Sequence, residues 1–316
     1  MSEPQWSDAA IVSARGPRNS VVLDRPYAML VEPEYSAAGL VEDVATVFLS
    51  NRECVFRCLM CDLWKNTTEV PMPAGAVVRQ VQHAIEELPG AQHIKLYNSG
   101  NFFDSKAFPR GDLPEIASLV ARYRTVIIEN HPKLCNDKVI AFRDQCGTQL
   151  EVAMGLETSH APTLSRLNKQ MTTADFSKAC GFLRKHEIRI RAFVLLRPPW
   201  TTESEGVQRA IESVRFAFEN GVECCAVIPT RAGNGIMDRL QESGDFQPPV
   251  LSSLESVLEE TLAWRAGRVF ADLWDLQRFS KCDNCFNSRY QRLQQMNLLQ
   301  TVQPTVICNA CSPGKV

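Results

Sequence analysis

Cys54-Val-Phe-Arg-Cys58-Leu-Met-Cys61 places three thiols within eight residues, between the apolar run Val44-Ala-Thr-Val-Phe-Leu49 and Asp62-Leu-Trp64. The β-branched and apolar run predicts a strand, so the thiols fall on the loop that leaves it. A closed tetrahedral site takes four protein ligands; three thiolates on one centre leave a coordination position open. Soft thiolates suit zinc and iron–sulfur alike, so a zinc knuckle borrowing a fourth ligand is the alternative for this loop.

Outward from the loop one pattern repeats. His93-Ile-Lys-Leu-Tyr-Asn98, Thr125-Val-Ile-Ile-Glu129, Leu150-Glu-Val-Ala-Met-Gly-Leu156, Ile188 to Leu196 and Val222 to Ile228 are further strand candidates. Between them, residues 76–88, 113–123, 136–144, 173–186 and 204–220 carry apolar positions every three or four residues, as amphipathic helices do. In the first, Val77, Val78, Val81, Ala84, Ile85 and Leu88 share a face. Strands alternating with helices predict parallel strands and right-handed crossovers. Six such units predict an α/β fold, a partial (β/α)6 TIM-like barrel open on one side.

In β/α barrels the chemistry sits at the C-terminal ends of the strands. The polar motifs fall there. The cysteine loop follows the first strand, Asn98-Ser99-Gly100-Asn101 the second and Glu129-Asn130-His131-Pro132 the third. Glu157-Thr158-Ser159 follows the fourth, Arg197-Pro198-Pro199 the fifth, and Pro229 to Gly235 the sixth.

The pattern divides the chain into an N-terminal arm (1–43), the barrel (44–240) and a C-terminal extension (241–316). The arm lacks periodicity, and Pro33 and Gly39 break it between Pro26 and Asp43. In the extension, Pro248-Pro249 marks a turn, Ser253–Arg265 a helix, Val269–Leu273 a short strand and Arg289–Leu299 a helix. Around the last helix lie Cys282, Cys285, Cys308 and Cys311, two Cys-x2-Cys pairs separated by twenty-two residues. That is close to zinc-ribbon spacing and predicts a closed structural zinc site, with an auxiliary iron–sulfur cluster as the alternative.

The chain has 316 residues, 45% hydrophobic and 22% charged, as in ordinary globular proteins. Its net charge of −2 gives no electrostatic reason to expect a polyanion. No apolar run is long enough for a membrane span, and Met1 to Trp6 lacks a signal-peptide pattern. A cytoplasmic location without membrane contact is expected. There, twelve cysteines do not suggest a disulfide framework. The five outside the two clusters (Cys135, Cys146, Cys180, Cys224 and Cys225) are expected as small buried hydrophobes.

Cys-x3-Cys-x2-Cys is also the spacing of radical S-adenosylmethionine (SAM) enzymes. Residues 44–235 resemble the core shared by elongator catalytic subunits, tRNA methylthiotransferases and nitrogenase-cofactor assembly proteins. Within that group, the segments Lys95 to Asp104, Val152 to Thr158 and Leu195 to Pro199 look most like the radical SAM subunit of archaeosine synthase. The resemblance implies that Cys54, Cys58 and Cys61 hold three irons of a 4Fe-4S cluster, the fourth being chelated by the amino and carboxylate groups of SAM. Met60 departs from the aromatic residue that many members carry before the third cysteine.

It further implies that Asn98, Ser99 and Gly100 replace the glycine-rich element that holds the SAM amino group, and that 228–235 line the adenine. Glu129 and Glu157 are candidates for ribose hydroxyls or the ammonium, with a helix cap or internal ion pair as the alternative. Arg197 and Arg231 are candidates for the SAM carboxylate or a substrate anion, with a structural ion pair as the alternative. His131 is read as shaping a turn, and no catalytic residue is assigned. The implied chemistry is reductive cleavage of SAM to methionine and a 5′-deoxyadenosyl radical, which takes hydrogen from a substrate. The implied partners are a flavodoxin- or ferredoxin-type reductant and a nucleoside substrate, possible within tRNA. A small-molecule or peptide enzyme, or a non-catalytic zinc-binding interaction module, are the alternatives.

Overall fold

The structure, a computed structural model, describes residues 6–107 and 109–311. Its eight strands are β1 (Ala28–Tyr35), β2 (Val41–Phe48), β3 (His93–Tyr97), β4 (Thr125–Glu129), β5 (Gln149–Glu157), β6 (Arg189–Leu196), β7 (Cys224–Pro229) and β8 (Arg268–Ala271). They form one sheet in sequential order, parallel from β2 to β8, with β1 antiparallel to β2. The central strands are apolar on both faces because both are covered; Val126, Ile127 and Ile128 of β4 are all buried.

Helices Ala76–Glu87, Asp112–Val120, Asp137–Cys146, Thr173–Lys185 and Glu203–Glu219 make the crossovers, and Leu251–Ala263 precedes β8. Their apolar stripes join the sheet in one core that includes Val77, Ile116, Phe142, Phe176, Val214 and Leu258. Two starts are explicit in the sequence. Thr172 and Thr202 cap their helices in reciprocal boxes with Asp175 and Glu205. The six expected strands and the partial barrel are as predicted.

The extension's helix and short strand also fall near their expected places, at Leu251–Ala263 and Arg268–Ala271, whereas the arm differs. β1 occupies the segment expected to be irregular, joined to β2 by a turn in which Gly39 has φ 77°. Pro33 is tolerated because β1 is an edge strand and needs no donor on its outer side. A short helix, Asp8–Ser13, capped by Ser7, precedes it. β8, from the extension, is the other edge, so one sheet crosses the limits expected at 43 and 240. The last helix is Asp283–Leu299, starting six residues before Arg289, since its first turns are polar and show no apolar period.

Toward the N-terminal ends of the strands the barrel interior is ionic. Lys95 Nζ lies 2.5 Å from Glu34 Oε2, and Arg191 bridges Glu34 Oε1 and Glu151 Oε1 at 2.6 Å each. Arg268 meets Glu151 Oε2 at 2.8 Å. Burial alone would raise both carboxyls, but Arg191 with Lys95 holds Glu34 well below its ordinary range, and Arg191 with Arg268 brings Glu151 down to about 2.

Candidate metal and cofactor site

At the other end of the strands a cavity of about 930 Å³ opens, lined by Cys54, Cys58, Cys61, Glu129, Glu157 and Lys169. The cysteine loop is held through its backbone. Leu59 N donates to Leu167 O at 2.9 Å, and Asn234 Nδ2 donates to the carbonyls of Leu59 and Cys61 at 2.8 and 3.1 Å. Asn168 Nδ2 donates to Arg57 O at 2.8 Å. From the arm, Arg15 and Arg18 reach Glu53, immediately before Cys54, while Arg57 adds a third cation at 3.2 Å. The arm thus braces the loop from outside.

Inside, Asn101 Nδ2 donates to Cys54 Sγ at 3.1 Å. Burial pushes the thiols of Cys54 and Cys58 up to about 11 and that of Cys61 to about 12, so their thiolate forms need a cation. Among the described residues, the C-terminal set is the one group of three or more possible ligands whose atoms all lie within 4.8 Å of one another. Three soft thiolates that leave one coordination position open are a donor set that fits a 4Fe-4S cluster.

The turn after β3 lies against this loop. A Cβ at Gly100 would meet Cys54 Cβ at 3.3 Å, so the two backbones pass closely. Gly100 N donates to Glu129 Oε1 at 3.3 Å, and Ser99 Oγ donates to Tyr27 at 3.1 Å. Burial raises the Glu129 carboxyl to about 7 against the opposing N–H groups of Gly100, Asn98 and Ser99. Asn98 is fully buried, and both polar atoms of its side chain lack a hydrogen-bond partner. Ser99, Gly100 and Glu129 therefore line the cavity beside the thiols, whereas Asn98 lies outside its lining and contributes its backbone N–H to Glu129.

Glu157, in the left-handed region at φ 64°, accepts a hydrogen bond from Lys169 Nζ at 2.6 Å. A Cβ at Gly155 would sit 2.1 Å from Glu157 Oε1 and 2.4 Å from Lys169 Nζ, so this glycine makes the room the pair occupies. Burial works against the Lys169 ammonium, but Glu157 and the Cys58 sulfur outweigh it and keep it charged. Lys169 is the residue that sequence reading missed. It follows a short helix, Ala161–Arg166, and not a strand end.

The two arginines separate. Arg231 lines the cavity and pairs with Asp272. Arg197 turns away from it. At φ 55° its side chain is directed to Glu203 (2.6 Å), Pro248 O (2.8 Å) and Gln247 Oε1 (3.0 Å), so it braces the approach to helix Leu251–Ala263 instead of facing a cofactor. His131 stacks on Phe56 at 3.8 Å and bonds Lys169 O, a shaping role; burial lowers it to about 3 and leaves it neutral. Above the ionic layer, Tyr27, Phe48, Tyr97, Phe193 and Trp274 pack as a ladder of rings along the cavity.

At the C-terminal set, Cys282 Sγ lies 3.9 Å from Cys308 Sγ, and Cys285 Sγ 3.7 Å from Cys311 Sγ. Sulfurs placed tetrahedrally around one zinc ion would stand about 3.8 Å apart, so these two spacings suit such a site. Of the five remaining cysteines, Cys146, Cys180, Cys224 and Cys225 are buried as expected and Cys135 is partly so. No helix among the described residues is long and apolar enough to cross a membrane.

No family model matches the chain. It is 28% identical over 211 residues to archaeosine synthase subunit beta of Thermococcus kodakarensis, covering 64% of this chain and 65% of that protein. It is 24% identical over 224 residues to the subunit beta of Methanosarcina acetivorans, covering 65% and 62%. The chain thus spans just under two thirds of the length of these two relatives. An uncharacterized protein of Methanocaldococcus jannaschii is 22% identical over 253 residues, covering 75% and 69%. Among solved structures, methylornithine synthase superposes with a TM-score of 0.52 at 12% identity, covering 70% of this chain and 63% of that one. Strand order, the cysteine loop at the mouth of the sheet and these likenesses agree: the chain has the partial-barrel fold of the radical SAM enzymes.

Proposed function

We propose that this chain is a radical SAM enzyme that modifies a nucleoside, with tRNA as its carrier. The observation that carries the first half is the set of three loop thiols in the 930 Å³ cavity, with no fourth thiol among the described lining residues. When bound there, a 4Fe-4S cluster with SAM supplies a 5′-deoxyadenosyl radical.

The chain's own residues do the rest. Cys54, Cys58 and Cys61 hold the cluster, and the loop's backbone bonds fix where it sits. The Lys169 ammonium, beside Cys58 and Glu157, offsets thiolate charge and offers a donor to a SAM carboxylate. Ser99 and Gly100, which line the cavity, meet the SAM amino end, while Glu129 holds the turn in shape. The aromatic ladder excludes water from the reacting groups. Electrons come from a flavodoxin- or ferredoxin-type protein.

The nucleoside assignment is supported by the likeness to archaeosine synthase subunit beta. With a net charge of −2, RNA binding would rest on local contacts and should weaken steeply with salt. The C-terminal thiols hold zinc, supported by sulfur spacings that match one tetrahedral ion. Metal and acid-labile sulfide analysis of anaerobically reconstituted protein tests the whole assignment. About four irons, four sulfides and one zinc per chain are expected. Zinc alone at both sites would leave a non-catalytic binding module, and eight irons would make the tail an auxiliary cluster.

A further inference from the structure

The sheet is open: its edges β1 and β8 are not paired with each other. Helix Asp283–Leu299 lies across this seam and packs against both edges. Its seal on β8 is made by side-chain amides. Ala271 N donates to Asn297 Oδ1 at 2.8 Å, and Asn297 Nδ2 donates to Ala271 O at 2.9 Å. One step along, Val269 N donates to Gln300 Oε1 at 2.7 Å, and Gln300 Nε2 donates to Val269 O at 3.0 Å. Two amides thus do for β8 what a ninth strand would do, satisfying its outward N–H and C=O groups.

The same helix presents Tyr290, Gln294 and Leu298 to the cavity. Its opposite side is pinned. Leu293 and Met296 are fully buried, Arg289 pairs with Glu255, and Arg292 reaches Glu259 at 2.7 Å. Arg292 Nε also donates to Pro304 O at 2.8 Å, folding the returning tail back along the helix. That tail carries Cys308 and Cys311 to Cys282 and Cys285, which stand at the helix's first turn. The four thiols therefore tie both strands of this helix–tail unit at one end, and the amide clamp holds it at the other.

We propose that the four-thiol site is the lock on the side wall of the cavity. With an ion bound, helix Asp283–Leu299 is fixed across the gap between β1 and β8, and Tyr290 and Gln294 form the face that meets the cavity's occupant. Without the ion, the wall separates from β8 and the cavity opens to solvent on that side. The occupant is the nucleoside only if the function proposed above holds; the wall itself does not depend on it.

Hydrogen exchange on the full-length chain tests this. Wild type is compared with a Cys308→Ser/Cys311→Ser variant, which leaves the helix sequence intact. In the variant, exchange across 268–273 and 283–300 should be faster by on the order of tenfold or more, with β4 to β6 unchanged. Should β4 to β6 also lose protection, wild type stripped of zinc and refilled gives the same comparison, and the gain in exchange should reverse on refilling. Unchanged exchange in both segments after loss of the ion overturns the proposal. Faster exchange in a chain that never cleaves SAM would uphold the wall and sink the enzyme reading, so the two fail separately.

Discussion

Cys58→Ala, reconstituted with iron and sulfide beside the wild type, is expected to lose the iron–sulfur absorbance and to cleave SAM only at background level. Cys58 is the middle thiol of the three, in the cavity beside Lys169 and Glu157. Its removal leaves two thiolates, too few to hold the cluster with one open position. The fold should survive. The loop is fixed by Leu59 N to Leu167 O and by Asn234, none of which uses the sulfur. The zinc proposed at the C-terminal thiols serves as the internal control, since about one equivalent should remain in the variant. Retained cleavage in the variant would show that these thiols do not hold the reacting centre.

The largest expected effect on stability belongs to Arg191→Met. Arg191 is buried between Glu34 and Glu151, at 2.6 Å from each. Without it, two buried carboxylates keep only Lys95 and Arg268 as partners. Breaking such a set costs about 3–5 kcal/mol, which would lower the melting temperature by about 10 °C. The pH dependence has a fixed sign. Both carboxyls titrate lower in the folded chain than unfolded, Glu151 at about 2, so they stabilise above the ordinary carboxylate range. That stabilisation is lost as pH falls from about 4 toward 2. Urea unfolding at pH 7 and pH 3 should show a large gap between wild type and variant at pH 7 and a smaller one at pH 3. Equal stability at pH 7 would show that the ionic layer contributes nothing.

The parallel strands were legible because burial on both faces writes long apolar runs, as in Thr125–Glu129. The cysteine loop was legible because its spacing is local. β1 was not, because Pro33 and Gly39 read as breakers in isolation; only the sheet shows that Glu34 faces Lys95 and Arg191 and that Pro33 lies on a free edge. Lys169 was hidden by the rule that chemistry follows a strand, since it comes from beyond a short helix. Arg197 obeyed that rule, yet it takes the structural ion pair that was its alternative. Its positive φ, set by chain geometry after β6, directs it to Glu203 and Pro248. The choice between zinc and a cluster in the tail needs distances between sulfurs, and spacing in sequence does not supply them.

The central claim is that the loop thiols hold a centre that cleaves SAM. Anaerobic reconstitution followed by SAM and dithionite, with 5′-deoxyadenosine as the readout, tests it most directly. The expected result is deoxyadenosine and methionine in equal amounts, dependent on reductant and absent from Cys58→Ala. Reconstituted protein with its full iron content that binds SAM yet forms no deoxyadenosine under reduction would contradict it.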